Sequence, residues 1–349
     1  MSSQLGDFRL SVVVPLYNEE LNIDYLFERL LSVLERLKMK YEIVCVNDGS
    51  RDNTLERLVD YHRRNQAIKV INLSRNFGKE VALSAGLDYA SGDAVVPIDA
   101  DLQDPPELIE ELVAKWQEGY EVVYATRRSR KGESWAKRFS ANAFYRVIQK
   151  ISHVSIPRDT GDFRLLDRRV VEAIKRTPER TRFMKGLFAW VGFKQASVLF
   201  DRPQRYQGKT SWNYWRLWNF AIDGITSFSF VPLKVWSYLG ILISMLSFIY
   251  ATFLVIRTLI LGIDVPGYAS IMVAVLFLGG VQLVSLGIIG EYLGRVYEEV
   301  KGRPLYLVRE AYGFETSDND KTIKNRIIDV KLSNFGSRIN DKFRAISGD

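Results

Sequence analysis

Two aspartates and a glutamine follow an apolar run in the stretch AVVPIDADLQDPPELIEELV. Asp99 and Asp101 are separated by one residue, and Gln103 comes two positions later. A tight turn can gather these side chains around one point, and oxygen ligands of this kind suit Mg²⁺ or Mn²⁺ while leaving positions for phosphate oxygens. The next acidic residues, Asp104 and Glu107, lie beside two prolines and are typical of a helix N-terminus. The stretch predicts a divalent metal site, and a capped, solvated turn is the alternative for an isolated Asp-x-Asp pair.

Alternating strand-like and helical patterns surround these residues, from Leu10 to about Arg127. The strand-like runs are LSVVVPLY, EIVCVND, IKVINLS, AVVPID and EVVYATR. This alternation predicts an α/β fold with a mainly parallel sheet covered by helices. Polar segments follow each of the first four runs, and the carboxyl ends of parallel strands share one edge of the sheet. We therefore expect the candidate metal ligands and these polar segments to meet at that edge.

The overall composition narrows the class of protein and of partner. With 349 residues, 47% of them hydrophobic, the chain can bury a large core, and its net charge of +7 favours acidic partners such as nucleotides or anionic lipid. No nucleic-acid-binding module accompanies this charge, so nucleic acid is not an expected partner. The single cysteine, Cys45, excludes an intramolecular disulfide, and no Gly-x-Ser-x-Gly motif indicates a hydrolase.

Two apolar stretches, residues 235–256 and 269–290, are each long enough to cross a bilayer core of about 30 Å as a helix. The basic residues that flank the pair are Lys209, Arg216 and Lys234 before it and Arg295, Lys301 and Arg303 after it. Because basic flanks remain in the cytoplasm, the pattern predicts a hairpin integral to the inner (plasma) membrane, with both ends of the chain cytoplasmic. Two buried helices of a large soluble protein are the alternative.

These patterns divide the chain into four parts. They are a cytoplasmic α/β domain (residues 1–210), an interfacial amphipathic segment (211–232), two transmembrane helices (233–292) and a cytoplasmic C-terminal tail (293–349). The interfacial segment carries three tryptophans at helical spacing, which suits the headgroup region, although an aromatic core stripe has the same spacing. The end of the tail is polar with scattered apolar residues, which predicts either contact with a neighbouring subunit in a homo-oligomer or a solvated tail.

Several motifs in a fixed order carry a resemblance to a known family. The motifs are VVVPLYNEE, VCVNDGSRDNT, NLSRNFGKE, DADLQDPPELI and DTGDFRLLDR. Over roughly residues 8–310 the chain resembles the inverting glycosyltransferases of family two, which have the GT-A fold. Together with the paired apolar stretches, it is similar to the bacterial polyprenyl-phosphate glycosyltransferases, relatives of dolichyl-phosphate mannose synthase. The resemblance implies that residues 1–210 are a GT-A glycosyltransferase domain.

The resemblance also implies roles for residues of the metal and nucleotide sites. The nucleotide-sugar pocket would be formed by Pro15, Tyr17, Asn18, Glu19, Asp48, Lys79 and Asp99, with Asp48 beside the base. Asp101 and Gln103, with Asp99 in the metal shell, would hold Mg²⁺ or Mn²⁺ against the diphosphate. One departure is Asn47, where many members of the family have a second aspartate. It leaves Asp48 in place and bears only on the preference for base or sugar.

A second set of residues is expected to bind the acceptor. By resemblance, Arg127 and Arg138 lie near the acceptor phosphate, and Arg205 and Lys209 are proposed there from their position before the apolar helices. Guanidinium groups match phosphate geometry, although any one of these cations could equally serve general attraction to anionic lipid. Two further candidates are Asp162 and, as the weaker one, Asp159, and we expect the carboxylate to orient the acceptor and manage its last proton. A purely structural role in a loop is the alternative for either aspartate.

The sequence as a whole predicts an inverting, metal-dependent transfer of a hexose to polyprenyl (undecaprenyl) phosphate at the cytoplasmic membrane face. The expected donor is UDP-glucose and the product a β-linked sugar phosphate lipid. Transfer of another sugar, such as mannose from GDP-mannose, is the nearest alternative, and a non-catalytic membrane-anchored sensor of nucleotide sugars is another. A processive polysaccharide synthase is disfavoured because the chain lacks the Gln-x-x-Arg-Trp motif of those enzymes and the additional spans.

Overall fold

The computed structural model describes residues 8–128, 160–177, 179–180, 182, 184–201, 231–261 and 267–314. The strands are β1 (Arg9–Leu16), β2 (Lys40–Asn47), β3 (Ile68–Leu73), β4 (Ala94–Pro97), β5 (Val122–Arg127), β6 (Thr160–Asp167), β7 (Gln195–Phe200) and β8 (Val308–Tyr312). The helices are α1 (Ile23–Leu37), α2 (Thr54–Arg64), α3 (Lys79–Tyr89), α4 (Ile109–Gln117), α5 (Arg168–Lys175), α6 (Met184–Trp190), α7 (Val231–Leu261) and α8 (Tyr268–Lys301). A short 3₁₀ turn, Pro106–Leu108, precedes α4.

All eight described strands belong to one sheet, in the order β7-β5-β6-β4-β1-β2-β3-β8. The pairs β1·β2, β1·β4, β2·β3 and β5·β7 are parallel, whereas β3·β8, β4·β6 and β5·β6 are antiparallel. The predicted α/β class is confirmed, but the sheet is mixed rather than mainly parallel. The physical reason is that β6 and β8 enter the sheet in the reverse direction, one in its middle and one at its end.

Helices cover both faces of the sheet and produce two separate hydrophobic cores. Alternate residues of β1 point to opposite faces, so Val12 and Val14 pack with α1, α2 and α4 while Val13 packs with α3, α5 and α6. All three valines are fully buried. Strands buried on both faces appear as continuous apolar runs in sequence, which is why β1 to β5 could be predicted from their composition.

Helix α3 lies unusually close to the sheet at Gly86. A Cβ atom at this position would meet Val13 Cγ1 at 2.2 Å, a distance that no side chain tolerates. We expect Gly86→Ala to cost about 1–3 kcal/mol of stability, since an added methyl group in a tight contact forces the packing apart. Thermal unfolding should show a lower midpoint for this variant. Gly161→Ala is the control, because its Cβ would meet no atom nearer than 3.8 Å. An unchanged midpoint for Gly86→Ala would contradict the close packing.

Three strands of the sheet are not evident in the sequence. The segment that forms β6 contains both Asp162 and Arg164, so its polarity suggested a loop rather than a strand. β7 has only six residues, and β8 follows the long helix α8, within the segment predicted as a C-terminal tail. The structure thus returns the chain to the sheet after α8, where β8 pairs with β3.

The helices α7 and α8 are long and expose many apolar side chains. The exposed residues include Phe248, Leu259, Ile260 and Leu283, each more than 70% accessible. By length and composition one described segment, Phe277–Lys301, can cross a membrane, and among the described residues of α7 the same test finds a shorter apolar segment, Gly240–Tyr250. The predicted pair of spans, 235–256 and 269–290, is therefore supported for one helix, and the two-helix transmembrane hairpin is not confirmed. The interfacial segment predicted at 211–232 lies almost entirely outside the described residues.

Candidate active site

One edge of the sheet gathers most of the predicted site residues. The carboxyl ends of β1, β2, β3 and β4 lie there because these strands are parallel, and the amino end of β6 joins them because β6 is antiparallel to β4. The loops that follow β1, β2 and β4 carry Tyr17, Asp48 and Asp99. Lys79 is the first residue of α3, after the loop that follows β3, and Asp162 is the third residue of β6. Residues far apart in the chain therefore meet at this edge, as the sequence predicts.

Lys79 links two of the predicted carboxylates. It begins α3, and its Nζ lies 2.7 Å from Asp99 Oδ1 and 2.7 Å from Asp162 Oδ2. The Asp162 side chain is 11% exposed and that of Asp99 26% exposed, so water screens neither ion pair fully. The lysine is thus a bridge between the predicted metal-shell residue and the predicted acceptor-orienting residue. Its predicted contact with the nucleotide sugar stays a prediction.

Asp162 lies in a strongly positive environment. Burial alone would raise the pKa of its carboxyl, but the charges of Lys79, Lys185 and Arg164 hold that pKa well below its usual range. Asp162 is therefore ionised throughout the working pH range. A carboxylate with so low a pKa accepts a proton poorly, which favours an orienting role over a role in handling the acceptor's last proton. Its Oδ1 is buried and has no hydrogen-bond partner within the described part of the chain.

The predicted metal ligands form a tight turn after β4. Asp101 is 7% exposed, and its Oδ1 accepts a hydrogen bond of 3.1 Å from the backbone N–H of Gln103. Leu102 between them has a left-handed φ of 59°, which produces the sharp turn. The two carboxylates of Asp99 and Asp101 and the amide oxygen of Gln103 are all hard oxygen donors, a set that fits Mg²⁺ or Mn²⁺.

This donor set has only two carboxylates. Among the residues that the structure describes, no group of three or more His, Cys, Asp or Glu side chains is arranged to hold a metal ion. A metal at this turn would thus need ligands from elsewhere, and the diphosphate of a nucleotide sugar supplies such oxygens.

The loops after β1 and β2 are joined by hydrogen bonds. The backbone N–H of Asn18 donates to Ser50 Oγ at 3.0 Å, and the N–H of Arg51 donates to Asn18 Oδ1 at 2.8 Å. Asn18 has a left-handed φ of 54°. Near it Tyr17 is 41% exposed, and Pro15 and Glu19 are half-buried. Asn18 therefore joins the loop of the predicted nucleotide residues to the turn after β2, and the contact of these residues with a nucleotide stays a prediction.

Asp48 has a structural role that the sequence did not indicate: it anchors the loop before α3. It is 3% exposed, and its two carboxylate oxygens accept hydrogen bonds from the backbone N–H groups of Phe77 and Gly78, at 2.7 and 2.9 Å. Burial raises the pKa of Asp48, while these two hydrogen bonds and the charge of Arg75 oppose that shift. The carboxylate holds the loop that leads into Lys79. Its predicted contact with the base stays a prediction.

Of the four basic residues predicted to bind the acceptor phosphate, the structure describes one. Arg127 is half-buried and ends β5, whose carboxyl end lies at the site edge of the sheet. Arg138, Arg205 and Lys209, and the second carboxylate Asp159, lie outside the described residues.

Glu80 is a half-buried acid next to Lys79 that was not among the predicted site residues. Burial and the negative charge of Asp162 raise its pKa from 4.5 to about 7, and its Oε2 has no hydrogen-bond partner among the described residues. An acid whose folded-state pKa is raised loses stability as pH rises from the unfolded to the folded value. We expect Glu80→Gln to gain in melting temperature over wild type as pH rises from about 4.5 to about 7, with no further gain above. Melting curves of both proteins across this range test the expectation, and a constant difference would contradict it.

Comparison with known proteins is consistent with this geometry. Residues 11–175 match the model of glycosyl transferase family 2, and residues 231–296 match the GtrB C-terminal hairpin. An uncharacterized glycosyltransferase of Synechocystis sp. is 69% identical over 88% of this chain and 96% of its own. A prophage-derived bactoprenol glucosyl transferase of Shigella flexneri is 46% identical over 87% and 98%.

A solved structure is also similar in part. It is glucosyl-3-phosphoglycerate synthase from Mycobacterium tuberculosis, in complex with Mn²⁺, UDP-glucose and phosphoglyceric acid. The similarity covers 63% of this chain and 78% of that chain, at 19% identity and a TM-score of 0.44.

Proposed function

The chain belongs to glycosyltransferase family 2, and we propose that it transfers glucose from UDP-glucose to a polyprenyl phosphate, with undecaprenyl phosphate as the bacterial example, at the cytoplasmic face of the membrane. Relatives 46% identical over most of the chain are bactoprenol glucosyl transferases, which supports both the sugar and the lipid. The observation that carries the proposal is that the chain returns from α8 to the sheet at the edge where the candidate site lies.

The direction of the strands supports this proximity. β7 runs parallel to β5 and ends at Phe200, on the edge that holds Asp99 and Asp162. β8 is antiparallel to β3, so its first residue, Val308, lies beside Leu73 at that same edge. The chain therefore leaves the sheet toward α7 and returns from α8 at the site edge. A lipid phosphate at the membrane surface is then near the carboxylates while its tail stays in the bilayer.

The return of β8 also bears on the membrane topology. Because β7 and β8 belong to one sheet, the chain between them crosses a membrane an even number of times. If Phe277–Lys301 crosses, a second crossing must precede it, and α7 is the helix available among the described residues. The match of residues 231–296 to a hairpin family supports this pair. Arg295, Lys301 and Arg303 at the end of α8 favour a cytoplasmic site domain, with both chain ends on the same side.

The reaction proposed is a single displacement. An oxygen of the lipid phosphate forms a bond to the anomeric carbon as the bond from that carbon to the UDP oxygen breaks, which inverts the α-linked donor to a β-linked product. A phosphate monoester is already anionic near neutral pH, so the step needs no strong base. Asp162, held ionised by Lys79, would orient the reactants, and Arg127 would bind the acceptor phosphate.

Mg²⁺ or Mn²⁺ held by Asp99, Asp101 and Gln103 would neutralise charge on the departing diphosphate. The Nζ of Lys79 lies 2.7 Å from Asp99 Oδ1, so its ammonium group would add positive charge beside the proposed metal. Fixed positive groups of this kind lower the barrier because charge develops on the leaving oxygen in the transition state.

The experiment that tests the proposal offers the purified protein several donors. Labelled UDP-glucose, UDP-galactose, UDP-N-acetylglucosamine and GDP-mannose are each incubated with undecaprenyl phosphate and Mn²⁺, and label is counted in the organic phase. We expect label from UDP-glucose alone. Label from GDP-mannose would make the enzyme a mannosyltransferase, and UDP binding without label from any donor would favour a sensor of nucleotide sugars.

A further inference from the structure

A row of polar side chains crosses the sheet from the site to its edge strand. Asn47 ends β2, is paired in register with Asn72 of β3, and Asn72 is paired in turn with Glu310 of β8. Cross-strand partners point to the same face, so the three side chains are neighbours. Asn47 is 1% exposed and Asn72 is 4% exposed, whereas Glu310 is exposed to solvent. The row therefore connects a buried position behind the site with the strand that returns from α8.

Hydrogen bonds in this row have a single direction. The backbone N–H of Ser50 donates to Asn47 Oδ1 at 3.3 Å, and Asn47 Nδ2 donates to Asn72 Oδ1 at 2.9 Å. Asn72 Nδ2 then donates to Glu310 Oε2 at 3.1 Å. A backbone N–H can only donate and a carboxylate can only accept. With these groups at its two ends, only one orientation of both amides satisfies every member of the row.

The inner end of the row holds the turn after β2. Ser50 is joined to Asn47 on one side and accepts a hydrogen bond from the N–H of Asn18 on the other. In the same turn Gly49 has a φ of 65°, and a Cβ there would meet the backbone of Arg75 at 2.4 Å. The turn thus contacts the loops after β1 and β3, and its neighbour Asp48 anchors the segment that begins α3. A shift of this turn would move several predicted nucleotide residues together.

We infer that Glu310 is a positioning residue for the nucleotide-sugar pocket, which it holds in register through Asn72 and Asn47. The inference rests on the proposed function, since that function assigns the pocket. The inference assigns a role in donor binding to β8, although β3 lies between β8 and β2, the strand that leads into the turn. The mechanism is the donor and acceptor order of the row, not the charge of Glu310.

The order of donors and acceptors predicts that the effects of two substitutions in the row depend on each other. In Asn47→Asp the new carboxylate forces Asn72 to turn its amide and donate inward, which leaves Asn72 Oδ1 facing the carboxylate of Glu310. Two acceptors then oppose each other. Glu310→Gln removes this conflict because its amide can donate to the turned Asn72, and in the wild-type background the same glutamine can accept as Glu310 does.

The test measures the dissociation constant of UDP for the full-length protein by calorimetry in the presence of Mn²⁺, for the four combinations of these two substitutions. We expect Asn47→Asp to weaken UDP binding about tenfold, Glu310→Gln to change it less than about twofold, and the double variant to bind within about threefold of wild type. Asn47→Ala breaks the row outright, so adding Glu310→Gln to it should restore nothing. Additive effects in the first cycle, or rescue of the alanine variant, would overturn the inference.

Amide hydrogen exchange of the peptide containing Ser50 gives a second measurement that needs no ligand. Exchange should accelerate in Asn47→Asp and return toward the wild-type rate in the double variant. Unchanged exchange in Asn47→Asp would overturn the inference. A failure of the proposed function is distinguishable, because it would show as wild-type protein that transfers no glucose while the exchange pattern remains.

Discussion

Replacement of Asp101 by asparagine is expected to lower the turnover number for glucose transfer by about 100- to 1,000-fold, while the protein remains folded. Asp101 is one of only two carboxylates in the predicted metal set and lies buried in the turn after β4. Asparagine keeps the shape and one oxygen but removes the negative charge that binds a divalent cation. Loss of a single group that stabilises developing charge typically costs this much in rate.

Initial rates at saturating UDP-glucose and Mn²⁺ give the turnover number. Glu107→Gln is the matched control: it removes a carboxylate of the same loop, one that pairs with Arg29 at 2.6 Å and lies outside the metal set. We expect its rate to stay within about threefold of wild type, since exposed ion pairs contribute little. An Asp101→Asn protein with near wild-type turnover would rule out the metal assignment.

Replacement of Lys79 by methionine is expected to reduce turnover about 100-fold and to change the pH dependence. Methionine removes the cation that lies 2.7 Å from both Asp99 and Asp162, which leaves two carboxylates close together without their partner. The charge of Lys79 also lowers the pKa of Asp162 more than any other nearby charge does, so that pKa rises in the variant. In the proposed function Asp162 acts in its ionised form, so we expect the remaining activity to be lost on acidification at a higher pH than in wild type.

Rate profiles from about pH 5 to pH 9 measure both effects. Lys115→Met is the matched control, because Lys115 has the same 42% side-chain exposure as Lys79 but lies on α4 and pairs with Glu118, just after that helix. Its profile should coincide with that of wild type. If Lys79→Met lowered turnover without moving the acid limb, Lys79 would act on the substrate alone and not through Asp162.

The first half of the domain could be predicted because its strands are buried on both faces. β1 to β5 appear as apolar runs, and the predicted and observed positions of these strands agree closely. β6 could not be found in this way, since Asp162 and Arg164 give it the composition of a loop. β8 could not be predicted either. It is a strand of only five residues that follows a long apolar helix, and its sequence resembles a tail until its pairing with β3 is known.

The candidate site, too, could be predicted from the sequence only in part. The order of motifs predicted that Asp99, Asp101 and Lys79 lie at one edge, and the parallel strands bring them there. The ion pairs of Lys79 depend on how α3 packs against the sheet, which local sequence does not determine. The burial that raises the pKa of Glu80 is a tertiary property of the same kind.

The most direct test of the central claim is mass spectrometry of the lipid product. Purified protein is incubated with UDP-glucose, undecaprenyl phosphate and Mn²⁺, and the organic phase and the released UDP are both quantified. We predict a lipid that carries a single hexose on its phosphate, formed in equal amount to the UDP released and nearly absent with Asp101→Asn. Release of UDP without glycosylated lipid, or lipid that carries a chain of hexoses, would contradict the proposed transfer.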